Sequence, residues 1–216
     1  MISNRNIDGA IRTLKPLVGQ WEEPVVGRYK ADPFTTLISC LLSLRTKDAT
    51  THAAAERLFR LARTPEQILA LSTRRIERAI YPAGFYRTKA RTLHLVCRAL
   101  LERYGGRVPE TLEELLTIKG VGRKTANLVV TLAFRKDGIC VDTHVHRISN
   151  RWGYVTTTTP EQTEMALRRL LPRRHWRIYN DLLVPFGQHL CHPTSPWCSR
   201  CPLEPLCPKR GVRHQR

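Results

Sequence analysis

Four cysteines near the C-terminus, Cys191, Cys198, Cys201 and Cys207, are spaced C-x6-C-x2-C-x5-C. Four converging thiolates enclose either a tetrahedral zinc ion or a cubane iron-sulfur cluster. Structural zinc usually draws on two C-x2-C knuckles, whereas here there is one, flanked by long spacings. A 4Fe-4S cluster is therefore favoured over zinc, with unliganded or disulfide-bonded cysteines as the remaining alternative. The second constellation runs from Thr111 to Asn127, TLEELLTIKGVGRKTAN. Thr111 and Glu114 form a capping box that starts one helix, Gly120 and Gly122 permit a tight turn at positive φ, and a second helix begins near Arg123. Side-chain-free N–H groups at a helix N-terminus receive phosphate oxygens, so Gly120, Val121, Gly122, Arg123 and Thr125 are candidate phosphate contacts. The alternative is an αα-corner with a glycine C-cap. Lys124 sits one residue into the second helix, where the helix N-terminus and Arg123 disfavour its protonation. A free amine is a nucleophile, while a solvated lysine or a further phosphate contact is the plainer role. Eighteen residues on, Val141-Asp142-Thr143-His144 opens another helix. Asp142 suits an N-cap, and equally a carboxylate that stabilises positive charge on a sugar as a base departs.

The elements that must position these groups are helical. Leu93, Val96, Cys97, Leu100, Leu101 and Tyr104 recur at helical spacing, so a helix is predicted over 87–104, stopped by Gly105-Gly106. Similar patterns predict helices over 34–44, 48–62 with Asp48 as N-cap, 73–79, 112–117, 123–134, 143–152, 161–171 and 176–190. Only Tyr154 to Thr159 alternates like a strand, and it has no partner. The fold class is all-α. Pro185 should end or kink the helix that contains it. The tail from Cys191 holds five prolines in eighteen residues and too few periodic apolar positions to order itself by packing.

The chain has 216 residues, enough for one compact domain or two small ones. It carries 36 Lys and Arg against 18 Asp and Glu, a formal charge of +18, with 42% hydrophobic residues and a pI near 10.4. That apolar share argues against a disordered basic tail, and the excess charge calls for a polyanionic partner, nucleic acid before an anionic membrane surface. There is no run of 18 apolar residues, and the first sixteen lack an apolar signal core, so an intracellular location is expected, cytoplasmic at the nucleoid in a bacterium. Seven cysteines, four of them in the last 26 residues, point to a metal site rather than a secreted disulfide framework. Cys40, Cys97 and Cys140 lie in apolar stretches and read as buried hydrophobes.

The hairpin Ile118-Lys-Gly-Val-Gly-Arg-Lys-Thr-Ala, then Val141-Asp-Thr-His, then the cysteine tail, in this order and separation, resemble endonuclease III of the helix-hairpin-helix DNA glycosylase superfamily. The resemblance extends over nearly the whole chain, including Leu41-Leu-Ser-Leu-Arg-Thr-Lys-Asp48. It implies a bifunctional glycosylase and AP lyase of base excision repair that removes oxidised pyrimidines from duplex DNA through a lysine Schiff base and β-elimination. By resemblance Lys124 is the Schiff-base lysine, Asp142 the catalytic aspartate, His144 part of the DNA-binding motif, and the four tail cysteines the ligands of a 4Fe-4S cluster. The implied architecture is a six-helix barrel over 26–136 and a second helical domain from 1–25 and 137–216, closed by the cluster, with DNA across the cleft and the protein acting as a monomer. Extruding a nucleotide leaves a gap that similar enzymes fill with a glutamine and an apolar residue; those positions here carry Arg45 and Phe85. The cluster loop, His192 to Trp197, lacks the basic residues of relatives, which leaves Arg173, Arg174, Arg177, Lys209 and Arg210 as other basic contributors. Two further readings stand beside this one: a monofunctional mismatch or uracil/thymine glycosylase, and a non-enzymatic iron-sulfur DNA-binding module, for which Lys124 and Asp142 together would be superfluous.

Overall fold

The structure is a computed structural model that describes residues 1–21, 29 and 32–216. The described residues form helices, turns and loops, with no strand among them; Tyr154 to Thr159 is irregular. The chain divides into two compact units: Pro24–Lys136, which is contiguous, and Met1–Glu23 with Asp137–Arg216, which is discontinuous. The expected boundary at 25 and 26 lies outside the described residues.

The contiguous unit holds α2 (Pro33–Ser43), α3 (Asp48–Leu61), α4 (Pro65–Ala70), α5 (Thr73–Ile80), α6 (Tyr86–Tyr104), α7 (Leu112–Leu116) and α8 (Arg123–Leu132). Local chemistry sets most of the starts. Asp32 caps α2 by accepting from Thr35 N at 2.8 Å, with Pro33 in the first turn. Thr64 and Ser72 do the same for α4 and α5. At α3 the expectation is corrected: Lys47 is the N-cap and makes no side-chain cap, and Asp48 is the first helical residue, where its charge meets the positive helix end. The α6 stripe of Leu93, Val96, Cys97 and Leu100 is fully buried, as its periodicity requires, and Gly105 ends the helix at φ 58°. Helices α2, α3, α5 and α6 pack in a closed ring; α8 lies on α2, α7 on α8, and α4 on α6.

The discontinuous unit is built from α1 (Ile7–Val18), α9 (Thr143–Arg151), α10 (Pro160–Leu170) and α11 (Trp176–His189). Helix α11 packs on α1 and α9, and α10 packs on α9. Its core includes Ile7, Leu14, Val145, Ile148, Trp152, Leu167, Tyr179, Leu183 and Phe186, side chains that each contribute about 1.5–3 kcal/mol when fully buried. Asp8 of α1 accepts from Arg174 Nη2 at 2.6 Å and sits 2.5 Å from His175 Nε2, and these bonds, the arginine's first, hold its carboxyl down at about 2. Pro185 does not end α11, which continues through it to His189. No helix among the described residues is long and apolar enough to cross a membrane.

Candidate nucleic-acid interface and metal centre

The hairpin between α7 and α8 is assembled by short-range bonds. Glu114 N donates to Thr111 Oγ1 at 3.3 Å, and the Thr111 hydroxyl donates to Glu114 Oε2 at 2.6 Å, so the capping box closes through the hydroxyl rather than the cap's backbone N–H. Thr117 N, Ile118 N and Val121 N then donate to Glu114 O, Leu115 O and Ile118 O. Gly120 adopts φ 100°, and a Cβ there would stand 2.6 Å from Thr92 Cγ2 of α6. Gly122, by contrast, is not at positive φ: it is the N-cap of α8 at φ −91°, and a Cβ there would meet nothing within 4 Å. Its lack of a side chain answers no demand of the fold.

Both glycines are exposed, and among the described residues their N–H groups take no protein acceptor. Val121 is different. Its side chain is buried and its N–H is used inside the turn, so it holds the hairpin's shape and offers a phosphate nothing. Thr125, in the first turn of α8, is only 1% exposed, so it supports the helix start from within and does not present its hydroxyl at the surface. Arg123 and Lys124 are half-buried in that first turn. Lys124 is close enough to Cys40 of α2 for its charge to act on the thiol: burial pushes Cys40 up to about 12, and the lysine works against the shift. Cys40, Cys97 and Cys140 are all buried and outside any disulfide.

The structure brings Arg45 and Phe85 together. Each has left-handed backbone, φ 52° and φ 57°, and the Arg45 guanidinium lies 5.5 Å from the Phe85 ring centroid. Phe85 is 63% exposed, which rules out a core role for this ring.

In the discontinuous unit Asp142 is the N-cap of α9, with Oδ1 accepting from His144 N and Val145 N, both at 2.9 Å. His144 Nδ1 stands 3.2 Å from Arg147 Nη2. One turn apart on α9, Arg147 and Arg151 reach the first tail cysteine. Arg147 Nη2 donates to Cys191 O at 2.8 Å; Arg151 Nη1 donates to Cys191 Sγ at 3.3 Å and to His192 O at 2.6 Å, and its Nη2 to Pro193 O at 2.5 Å. Sequence reasoning passed over both arginines, whose only signal is their i, i+4 spacing on a helix that opens with Asp142.

Cys191, Cys198, Cys201 and Cys207 form no disulfide and line one cavity of about 20 Å³ together with Arg151, Trp152, Phe186, Leu190, Pro196 and Trp197. Among the described residues no group of three or more His, Cys, Asp or Glu is set to hold a single metal ion. Burial pushes the Cys201 thiol up to about 11, and Cys191, Cys207 and Cys198 each add to the rise. Of the other basic candidates, Lys209 pairs with Glu204 at 2.5 Å and Arg174 with Asp8, so neither charge is wholly free for a polyanion. Arg210 donates to Thr156 Oγ1 at 3.0 Å, and Arg173 lies over the Trp176 ring.

The family described as HhH-GPD superfamily base excision DNA repair protein matches residues 38–173. Endonuclease III of Thermotoga maritima is 48% identical over 178 residues, covering 82% of this chain and 84% of its own. The chloroplastic endonuclease III homolog 2 of Arabidopsis thaliana is 46% identical over 184 residues, and there the match spans 81% of this chain but 48% of the relative. A trapped endonuclease III–DNA covalent intermediate superimposes with a TM-score of 0.86 at 33% identity, covering 97% of each chain. The chain belongs to the endonuclease III family of the helix-hairpin-helix (HhH-GPD) superfamily of base excision DNA repair glycosylases.

Proposed function

We propose that the protein is a bifunctional glycosylase and AP lyase that acts as a monomer on duplex DNA carrying an oxidised pyrimidine or an abasic site. The observation that carries this reading is the placement of Lys124 in the first turn of α8, directly after a hairpin whose exposed Gly120 and Gly122 N–H groups take no protein acceptor. A phosphate seated on those groups fixes the backbone, and an amine one turn further along the chain is then offered to the adjacent sugar. The Lys124 lone pair forms a bond to C1′ as the glycosidic bond breaks and the base leaves with that bond's electrons. Ring opening turns the adduct into a protonated imine. Loss of a C2′ proton then expels the 3′ phosphate by β-elimination. Asp142 is assigned the stabilisation of positive charge on the sugar as the base departs. The covalent relative in the comparison supports this chemistry. The two compact units correspond in this reading to a barrel domain over 26–136 and an iron-sulfur domain over 1–25 and 137–216.

The cysteines fit a 4Fe-4S cluster. Four free thiols line one cavity, and the buried Arg151 guanidinium, which otherwise meets only carbonyl oxygens, donates to Cys191 Sγ and so sets positive charge beside a thiolate-bound, negatively charged group. The four cysteines would hold such a cluster and be cross-linked by it, in a tail whose two single-turn 3-10 segments, Cys198–Arg200 and Glu204–Leu206, bury none of their own residues. Borohydride trapping on duplexes with different damaged bases tests the function: a covalent adduct on oxidised pyrimidines, lost in Lys124→Gln with DNA affinity retained, is expected. An adduct formed at the normal rate by Lys124→Gln would sink the assignment. Metal analysis of the same sample should find about four irons per chain; one zinc would remove the cluster.

A further inference from the structure

Lys89, in the first turn of α6, is 7% exposed. Its Nζ donates to Leu42 O and to Thr46 Oγ1, each at 2.6 Å, and both acceptors are uncharged. Burying a lysine amine among uncharged groups is costly, and an apolar side chain would fill the same space at less cost. What the amine adds is a tie between two turns far apart in sequence. Thr46 Oγ1, which accepts from Lys89, also accepts from Gly84 N at 3.1 Å. The same hydroxyl is near enough to Leu44 O, at 3.3 Å, to donate its own proton back into the first turn. Gly84 in turn lies so close to the Arg45 carbonyl oxygen that a Cβ there would overlap it. The two residues flanking this knot are Arg45 and Phe85, both non-glycine residues in left-handed backbone, stacked on each other and exposed. Left-handed backbone at such residues persists only where the surroundings over-determine it. Here the surroundings are the Lys89 and Thr46 bonds.

We propose that Lys89 is a positioning residue which, through Leu42 and Thr46, braces the two turns so that Arg45 and Phe85 are presented as one preassembled stacked wedge to the gap left in a duplex by an extruded nucleotide. The proposal rests on the reading of the protein as a DNA glycosylase. It adds that the wedge is a single unit, built before DNA arrives, and that its precision is set from beneath by a residue that touches no nucleotide. A ring and a guanidinium already stacked lose little freedom on insertion, which is the advantage of preorganisation.

The test uses the full chain and a duplex carrying a tetrahydrofuran abasic analogue opposite 2-aminopurine, whose fluorescence reports unstacking of the orphan base, with an undamaged duplex as control. Phe85→Ala should weaken binding to the gapped duplex about 5- to 150-fold, the range for loss of one aromatic stack, and lower the fluorescence gain. Lys89→Met and Thr46→Val should reproduce that loss, Thr46→Ser should stay near the parent, and the Lys89→Met, Phe85→Ala double variant should be no weaker than either single one. Undamaged duplex should bind all of them alike. Thr46→Val carries the test if Lys89→Met fails to fold. Normal gapped-duplex binding by Lys89→Met or Thr46→Val, or a double variant with additive losses, overturns the proposal while leaving the DNA reading intact. Loss of thermal stability alone, without loss of the fluorescence gain, does the same. A Phe85→Ala protein that behaves as the parent overturns the wedge itself.

Discussion

Gly120 and Gly122 are two residues apart in one exposed turn, yet the structure assigns them opposite sensitivities. In Gly120→Ala the new methyl would stand 2.6 Å from Thr92 Cγ2, about 1 Å inside ordinary carbon contact. The backbone at φ 100° adds about 1–3 kcal/mol of strain for an L side chain, and overpacking adds about 1–3 kcal/mol. A destabilisation of about 2–6 kcal/mol lowers the melting temperature by roughly 5–20 °C in a chain of this size. Thr92→Ser removes the opposing methyl, so in that background the overpacking part should return and the backbone part should persist. Gly122→Ala meets nothing within 4 Å at φ −91° and should unfold within about 0.5 kcal/mol of the parent. Its effect belongs to DNA: a methyl between the α8 N-terminus and a phosphate costs a charged hydrogen bond, about 1.5–3 kcal/mol or roughly 10- to 150-fold in affinity. Calorimetry and fluorescence anisotropy at fixed salt separate the two, and sequence-independent loss is expected because phosphate is read rather than bases. Parent-like DNA affinity in Gly122→Ala refutes the hairpin as the phosphate site. A Gly120→Ala protein that melts with the parent refutes the packing argument.

Asp142→Asn keeps an N-cap oxygen for the His144 and Val145 N–H groups, so stability should hold while base removal slows by about two to four orders of magnitude; single-turnover assays that show normal base removal would confine Asp142 to capping. Trapping on a preformed abasic site, where no base need leave, should survive in part. Desolvation holds the Lys89 amine down at about 8 against an ordinary 10.5, so the folded state gives up this proton before the unfolded state does. Stability therefore rises as pH climbs from about 8 towards 10.5, by about 3.5 kcal/mol at most at about 1.4 kcal/mol per pH unit. The parent should gain on Lys89→Met over that window in denaturant titrations, and parallel curves would refute a desolvated amine.

What could be seen in the chain before its structure was whatever is local. The Thr111-x-x-Glu114 box and the α6 stripe each act within a few residues or along one helix, and each appears where its pattern places it. Helix α1 was hidden by its charges and by Pro16, and α4 is six residues long, too short for a periodic signal. Gly122 was misassigned because a glycine pair in a turn suggests two left-handed residues when the turn uses one. The stack of Arg45 on Phe85 joins residues forty positions apart and depends on a lysine whose composition signal is that of any surface charge. Arg147 and Arg151 were invisible for the same reason: a buried arginine held by carbonyls and a sulfur has no nearby carboxylate in sequence to reveal it.

The split of the unit that carries the cysteines sets an order of events on the ribosome. Helices α2 to α8 lie in one uninterrupted stretch, so all of their partners have been synthesised once Lys136 has emerged. Helix α1 leaves the ribosome first but packs on α11, and Ile2 N donates to Trp152 O, so its amphipathic face waits through the synthesis of more than half the chain. Arg216 joins later still: its N donates to Pro196 O, its carbonyl accepts from Ser199 N, and its guanidinium lies over Trp197 beside the cysteines. Domains generally fold as units during synthesis. The contiguous unit can therefore mature on the nascent chain before the unit that carries the cysteines, which waits for segments on both sides of it.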